Sequence, residues 1–380
     1  MDNIDYRARI DEIDDKLTDL FSERMSISGQ IAGFKKANSL PVLDVRRERE
    51  IIHRVSERAP ENVREYLPTL YSLIFELSRS YQNRLIGVGS DLEEKIRRAL
   101  ETTPKMFPSN VSAACQGVEG AYSQLACDKL IRNANVMYFS SFDAVFSAIE
   151  KGLCRYGVIP LENSTAGSVN SVYDLMMRHN FSIVRSLRLK VDHSLLAKPG
   201  VKLSDIREIY SHEQAISQCT GFLHSLPGVK VIPCENTAVA AMCVSGSERR
   251  DIAALSSRSC MNLYGLECLR ESVQDKGNNY TRFICISKDL EIYPGADRTS
   301  LMAVLPHEPG SLYKLLARLN ALGINLNKLE SRPLPDRDFE FMFYFDLDSS
   351  VYSPQFMQLM GELSSICERF SYLGSYSEIV

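Results

Sequence analysis

Residues 9–36, RIDEIDDKLTDLFSERMSISGQIAGFKK, read as one long helix, and it carries cations on the face it should bury. Ile10, Ile13, Leu17, Leu20 and Ile31 form an apolar stripe at helical spacing. At about 100° per residue, Arg24 falls between Ile13 and Leu17 on the wheel, Lys35 coincides with Leu17, and Arg7 lies at the stripe's edge. One such cation is ordinarily explained by an internal salt bridge or by snorkelling to water. Here the pattern recurs. In LDVRRERE (43–50), Asp44 and Glu48 stand at i, i+4 on a face continued by Ile51, Ile52 and Val55. Further on, Ser78 and Gln82 stand at i, i+4 between Ile74 and Leu85. An unpaired buried charge costs several kcal/mol, and a buried anionic ligand would supply the missing partners. Arg7 and Arg24 are 17 residues apart, about 25 Å along a helix. One small molecule cannot touch both on one chain, so the spacing predicts an intertwined homodimer in which a second copy supplies Arg7.

The rest of the chain sets the frame. At 380 residues it should hold two or three domains. A net charge of −4 argues against a general nucleic-acid binder. The start, MDNID, lacks the apolar core of a secretory signal, and no apolar run is long enough to span a membrane, so a cytoplasmic protein is expected. Ten cysteines and six histidines are scattered without C-x-x-C pairs or Cys/His clusters, which predicts reduced thiols and no metal.

Three patterns follow one another. Helical periodicity covers roughly 5–37, 44–58 and 63–86, closed by GVGSD; residues 91–100 form a short charged helix and ETTPKMFPSN a linker. From Val111, short apolar runs (VSAAC, VMYF, YGVIP, VKVIP, DIAAL, RFICIS) alternate with helical stretches, the pattern of an open α/β sheet long enough for two lobes and a cleft. From Thr299 the order is βαββαβ, the ferredoxin-like motif. The expected domains are 1–90, a linker at 91–109, 110–287 and 298–380.

The set Arg7, Arg24, Lys35, Asp44, Arg47, Glu48, Ser78 and Gln82 resembles the pocket of the all-helical chorismate mutases over nearly all of residues 1–86. By that resemblance, Arg24 and the second copy's Arg7 grip the two carboxylates of chorismate. Lys35 and Gln82 donate to its ether oxygen, Glu48 with Asp44 accepts from the ring hydroxyl, Ser78 supports a carboxylate, and Arg47 orients Glu48. The chemistry suits these residue types. An intramolecular rearrangement needs no nucleophile, metal or cofactor, only a held conformer and a cation where charge builds as the ether bond breaks.

In the middle region, Gly117 and Gly120 of GVEGAYSQLACDKL sit at a strand–helix turn, either an ordinary turn or an anion cradle. Glu162, Asn163, Ser164 and Thr165 follow a strand at the end where ligands bind in open sheets. Ser211, His212 and Gln214 repeat the arrangement, and Thr281 and Arg282 open a buried strand. GAYS, PLENS, SHEQA, YGL and above all TRF (281–283) resemble prephenate dehydratase over 110–287. The resemblance implies a two-lobed domain with prephenate in the cleft. There Thr281 assists departure of the ring hydroxyl, and Asn163, Ser164 and Thr165 bind substrate. Arg282 meets a carboxylate or pairs structurally, Glu162 acts in catalysis or holds its loop, and Phe283 lies against the leaving carboxylate or in the core.

ESRP (330–333), preceded by HEPGSLYKLL, resembles the ACT regulatory domain of this enzyme class. The resemblance implies that Gly310, Ser311, Leu312, Glu330, Ser331 and Arg332 bind L-phenylalanine between paired domains, with Tyr313 altering the pocket. The expectation is a bifunctional mutase and dehydratase under feedback control. Two other readings stand beside it: an enzyme acting on arogenate, and a non-catalytic amino-acid sensor.

Overall fold

The structure, a computed structural model, describes residues 3–38, 40–86, 91–335 and 340–380. GVGS of the expected helix end (87–90) lies outside them, as does the start of the chain at 1–2. The chain divides into two compact units, residues 1–95 with 304–325 and 352–370, and residues 96–303 with 326–351 and 371–380.

In the first unit, residues 9–36 lie within a single helix, α1 (Asn3–Ala37). Its C-terminal half packs on α4 (Leu67–Ile86), burying Ser28 and Ala32. At Gly29 the helices approach so closely that an added Cβ would sit 3.2 Å from Tyr81 and 3.3 Å from Leu85. The N-terminal half behaves otherwise. Every side chain from Tyr6 to Glu23 is exposed, including the stripe residues Ile10, Ile13, Leu17 and Leu20. Among the described residues of one chain nothing covers that stripe. α2 (Val45–Arg58) starts where Asp44 accepts from the Arg47 amide at 3.0 Å, a side-chain N-cap. The expected helix 63–86 is two, α3 (Glu61–Arg64) and α4. Pro68, which has no N–H to donate, is accommodated in the first turn of α4, where amides lack intrahelical partners anyway.

The helices Ser311–Ala321 and Pro354–Ile366 belong to this same unit. The buried Arg318 and Glu362 form an ion pair at 2.6 Å. Arg318 also donates to the Glu76 carbonyl at 3.0 Å, and the Ser80 hydroxyl donates to Glu362 at 2.5 Å. Removing one member of such a buried pair costs about 3–5 kcal/mol, so these contacts hold the two helices to α4.

The second unit is reached through the helix Asp91–Thr102, which occupies most of the expected linker because Ile96 and Ala99 are buried. Its main sheet runs Glu378–Ile379, Ser182–Lys190, Tyr280–Ser287, Tyr156–Asn163, Ser112–Gln116, Asn135–Phe139, with Gly167–Ser168 paired beside Tyr156–Asn163. The first strands are parallel, and Tyr280–Ser287 is antiparallel to both neighbours. A five-stranded sheet forms the other lobe, in the order Glu267–Arg270, Ser194–Ala197, Ile252–Ser256, Glu208–Ser211, Lys230–Pro233. The two-lobed α/β expectation is therefore met. A third sheet runs Asn325–Pro333, Phe341–Asp348, Arg298–Val304, Arg369–Tyr376. With the two helices above, the chain order here is the expected βαββαβ. Residues 298–380 are nevertheless shared between the compact units, because the strands bond into the second and the helices into the first.

Candidate functional site

Five of the expected helical-site residues, carried by α1, α2 and α4, are buried or half-buried. The Arg24 guanidinium donates to the Ser78 hydroxyl and lies 5.7 Å from the centre of the Phe75 ring. Burial lowers its pKa from the usual value. Lys35 Nζ donates to the Val42 carbonyl at 2.5 Å. Glu48 is bonded by Arg79, which also bonds Glu76. Gln82 is 7 % exposed, and its buried amide oxygen meets no partner among the described residues. An unpaired buried amide oxygen is costly.

Three expected members stand apart. Asp44 is exposed and spends its carboxylate on capping α2. Arg47 is exposed and reaches Glu50 at 3.4 Å, so it does not orient Glu48; Arg79 does. Arg7 is exposed, on the same helix as Arg24 and about 25 Å from it. Arg79 lies outside the expected set. Its signal in the sequence is its place beside Ser78, three residues after Glu76.

A cavity of about 520 Å³ lies between the lobes of the second unit, lined by Tyr122, Asn163, His193, Gln218, Thr281 and Phe283 among others. Its polar wall has only one consistent orientation. Asn163 Oδ1 is 3.0 Å from the Thr165 amide, 2.9 Å from the Ala166 amide and 2.7 Å from the Thr165 hydroxyl. Backbone amides can only donate, so this atom is the oxygen. Asn163 Nδ2 therefore donates to Thr281 Oγ1 at 2.9 Å and to Asn279 Oδ1 at 2.7 Å. Thr281 accepts there, and its own proton is free to donate into the cavity. Asn279 Nδ2 in turn donates to Gln218 Oε1 at 2.8 Å, and Gln218 Nε2 to Thr165 Oγ1 at 2.9 Å.

The neighbours of Thr281 on its strand divide by pleat. Phe283 is 2 % exposed and serves both the core and the cavity wall. Arg282 turns to the other face and does not line this cavity. It is held by Asp346 at 2.5 Å, Glu378 at 3.0 Å, the Tyr376 hydroxyl at 3.0 Å and the Ser186 hydroxyl at 3.1 Å. Of the two readings of Arg282, a substrate carboxylate or structural pairing, these contacts favour pairing and correct the first: its donors are consumed inside the protein. Glu162, also off the cavity, pairs with Lys328 at 2.7 Å and Arg282 at 3.5 Å, so it holds the loop. Ser164 is likewise structural, donating to the Asn278 carbonyl and accepting from the Tyr280 amide. Ser211 bonds the Leu255 carbonyl, and His212 accepts from the Gln214 amide. Gly117 and Gly120 have φ of 106° and 88°, a conformation glycine adopts without strain. Gln218, Asn279 and His193 are absent from the sequence-based site, since single polar residues in loops carry no periodic signal.

The expected effector residues fall in both units. Gly310, with φ of 86°, precedes the helix that Ser311 and Leu312 begin, beside a cavity of about 230 Å³ also lined by Tyr313, Leu73 and Glu76. On the strand Asn325–Pro333, the alternate residues Lys328, Glu330 and Arg332 face the dehydratase-like region. Lys328 and Glu330 bond the Ser168 hydroxyl at 2.9 and 2.5 Å, and Arg332 forks onto Asp174 at 2.8 and 3.0 Å. Ser331 is exposed on the opposite face. The side chains of Glu330 and Arg332 are thus already engaged, contrary to a simple ligand-contact role.

Comparison with known proteins defines the class: a chorismate mutase type II model matches residues 6–83 and a prephenate dehydratase model residues 113–291. The bifunctional chorismate mutase/prephenate dehydratase of Escherichia coli K12 is 30% identical over 378 residues, covering 97% of this chain and 95% of that protein. Arogenate dehydratase/prephenate dehydratase 1 of Arabidopsis thaliana is 38% identical over 285 residues, covering 70% of this chain and 72% of its own. The structure of prephenate dehydratase from Arthrobacter aurescens in complex with L-Phe is 27% identical with a TM-score of 0.65, covering 70% of this chain and 90% of that one. The chain belongs to the bifunctional chorismate mutase/prephenate dehydratase family.

Arg79 gives the first test. Arg79→Met should release Glu48 and lower mutase kcat/KM roughly tenfold, the scale of one charge-assisted hydrogen bond, while dehydratase rates stay unchanged. Parallel assays of both activities on one preparation check this.

Proposed function

We propose that residues 1–90 rearrange chorismate to prephenate, that residues 110–287 convert prephenate to phenylpyruvate, and that residues 298–380 form an ACT-type regulatory domain for L-phenylalanine, with 91–109 joining the first two. The observation that carries the second activity is the Thr281 hydroxyl, whose proton is left free toward the cavity by Asn163.

In the helical site, Arg24 and Arg7 from a second copy hold the substrate carboxylates, with Ser78 supporting one of them. Lys35 and Gln82 meet the ether oxygen as its bond breaks, which requires Lys35 to leave the Val42 carbonyl. Glu48, fixed by Arg79, accepts from the ring hydroxyl, and Asp44 lies one turn away. The exposed stripe of α1 supports the homodimer this demands, since its apolar residues gain burial only against another chain.

In the cleft, the bond from the ring to its carboxylate breaks and carbon dioxide leaves. The electron pair moves through the ring and expels the hydroxyl, which leaves as water by taking up one proton from solvent while hydrogen-bonded to Thr281. A threonine is a weak acid, so Thr281 acts by a strong hydrogen bond to the departing oxygen. Thr165 and Asn163 shape the donor wall, and Phe283 supplies the apolar surrounding that favours decarboxylation. No cofactor is required by this chemistry. The 38% identity to a relative named for both arogenate and prephenate makes arogenate the second substrate to assay. A non-catalytic sensor would turn over none of the three. The ten cysteines are free thiols and no helix among the described residues is long and apolar enough to cross a membrane, which supports a cytoplasmic setting.

Lys35→Ala should lower the mutase rate by roughly 10²–10³-fold and spare the dehydratase, and Thr281→Ala should do the reverse. Loss of both activities from either change, in folded protein, would contradict separate sites. Mixing Arg7→Ala with Arg24→Ala chains under conditions of proven subunit exchange should restore mutase activity through heterodimers with one intact site; no recovery would end the shared-site reading. L-Phenylalanine should inhibit the dehydratase without competing with prephenate. Pure competition in initial-rate kinetics would place it in the cleft instead.

A further inference from the structure

We infer that His193 is a positioning residue of the dehydratase cleft, its Nε2–H fixing the Gln218 amide and, through Asn279 and Asn163, the hydroxyl of Thr281. The inference rests on Thr281 being the donor to the leaving hydroxyl and adds what orients it.

The two backbone amides of Thr165 and Ala166 cannot rotate. They make Asn163 Oδ1 an acceptor, so Asn163 Nδ2 faces Thr281 and Asn279, and Asn279 Nδ2 faces Gln218 Oε1. That same Gln218 oxygen lies 3.1 Å from His193 Nε2. An oxygen with no hydrogen can only accept, so Nε2 carries the proton and Nδ1 is a bare lone pair. The opposite tautomer would set two lone pairs against each other at that distance. His193 thus closes the far end of the chain that begins at Thr281.

The ring has little freedom to do otherwise. His193 is 3 % exposed. Its backbone amide donates to Gln274 Oε1 at 3.0 Å, and its carbonyl accepts from the Val273 amide at 2.9 Å. Tyr122 packs edge-to-face at 6.0 Å, itself anchored by a hydroxyl donated to the Asp192 carbonyl at 2.6 Å. Burial, against a smaller opposing effect of the Gln218 hydrogen bond, lowers the His193 pKa and keeps the ring neutral. Nδ1 has no partner among the described residues. A buried acceptor without a partner costs stability that an apolar side chain of similar size would not. A site chosen for packing alone has no use for it, whereas a donor is needed at Nε2.

Without that donor, Gln218 Oε1 keeps only Asn279 Nδ2, and the Gln218 amide is held less firmly. Asn163 Oδ1 stays on its two backbone amides, but Asn279, the second acceptor of Asn163 Nδ2, loosens with Gln218. The hold of Asn163 Nδ2 on the Thr281 hydroxyl loosens in turn. Binding of substrate is little affected, because the His193 ring, 3 % exposed, presents almost no surface to the cavity it borders, so the loss should fall on kcat rather than KM.

The full chain is the test material. His193→Leu removes the donor, and His193→Gln keeps an N–H near the position of Nε2. His193→Leu should lower dehydratase kcat roughly tenfold, the worth of one hydrogen bond's positioning, with KM little changed and mutase activity intact as the check on folding. His193→Gln should recover most of the loss. On the residual rate of Thr281→Ala, His193→Leu should add nothing. In ¹⁵N-histidine-labelled wild-type protein, one- and two-bond ¹H–¹⁵N correlations should report His193 as the Nε2–H tautomer, a readout that stands even if the leucine variant does not fold. A leucine penalty that persists in the Thr281→Ala background, a glutamine variant no better than leucine, or an Nδ1–H tautomer overturns the role of His193. A Thr281→Ala protein with undiminished dehydration overturns the Thr281 reading itself, and the inference with it. An inactive Thr281→Ala protein joined to an Nδ1–H signal sinks the inference alone.

Discussion

The guanidinium of Arg282 is the constraint on which the second unit depends. It is 4 % exposed and stands next in sequence to Thr281. A buried cation needs partners that satisfy its fork, and they come from three places: Ser186 on the adjacent strand, Asp346 in the third sheet, and Glu378 at the edge of the main sheet. Ser300 and Tyr376 complete the set by bonding Asp346. Satisfying one arginine therefore brings the C-terminal strands onto the main sheet. Because Arg282 cannot shift without breaking several charge-assisted bonds, Thr281, on the opposite face of the same strand, inherits its fixed position.

A second layer of ties runs from the strand Asn325–Pro333 to the loop after Asn163. Lys328, Glu330 and Arg332 meet Glu162, Ser168 and Asp174, and Ser168 lines the cleft. In the first unit, Arg318 and Glu362 bind the α4 backbone and Ser80, one residue beyond Arg79. The C-terminal region thus makes polar contacts with each catalytic region inside the unit it shares with it. These bonds tie the strands and helices of 298–380 directly to residues beside each site, so a shift on one side of such a bond is felt on the other.

Much of this was legible in the residues. The cations on the helical stripe, the alternation of short strands and helices, and the βαββαβ order each follow from periodicity, which local sequence records. Arg24, Ser78, Glu48 and Gln82 stand out because polar groups interrupt an apolar face. What escaped was set by partners distant in the chain. Whether Arg282 meets a ligand or Asp346 depends on a strand 64 residues away. Arg47 and Arg79 are equally plausible partners for Glu48 until α4 is seen to cross α2. The split of 298–380 between two compact units is likewise a matter of which neighbours its helices and strands find, and no window of sequence contains that information.

The wall of amides around Thr281 has one more property. Rings built only from hydroxyls or water can hold their hydrogens in either of two senses, clockwise or anticlockwise, and fluctuate between them. The ring here contains two main-chain N–H groups, at Thr165 and Ala166, whose hydrogens cannot exchange places with a lone pair. They break the degeneracy, so the network carries no residual proton disorder. A substrate entering the cleft meets one proton arrangement and need not select it from a mixture. The dipoles are aligned when the chain folds, before the reaction begins, and the order starts at the backbone and is carried outward by the side chains.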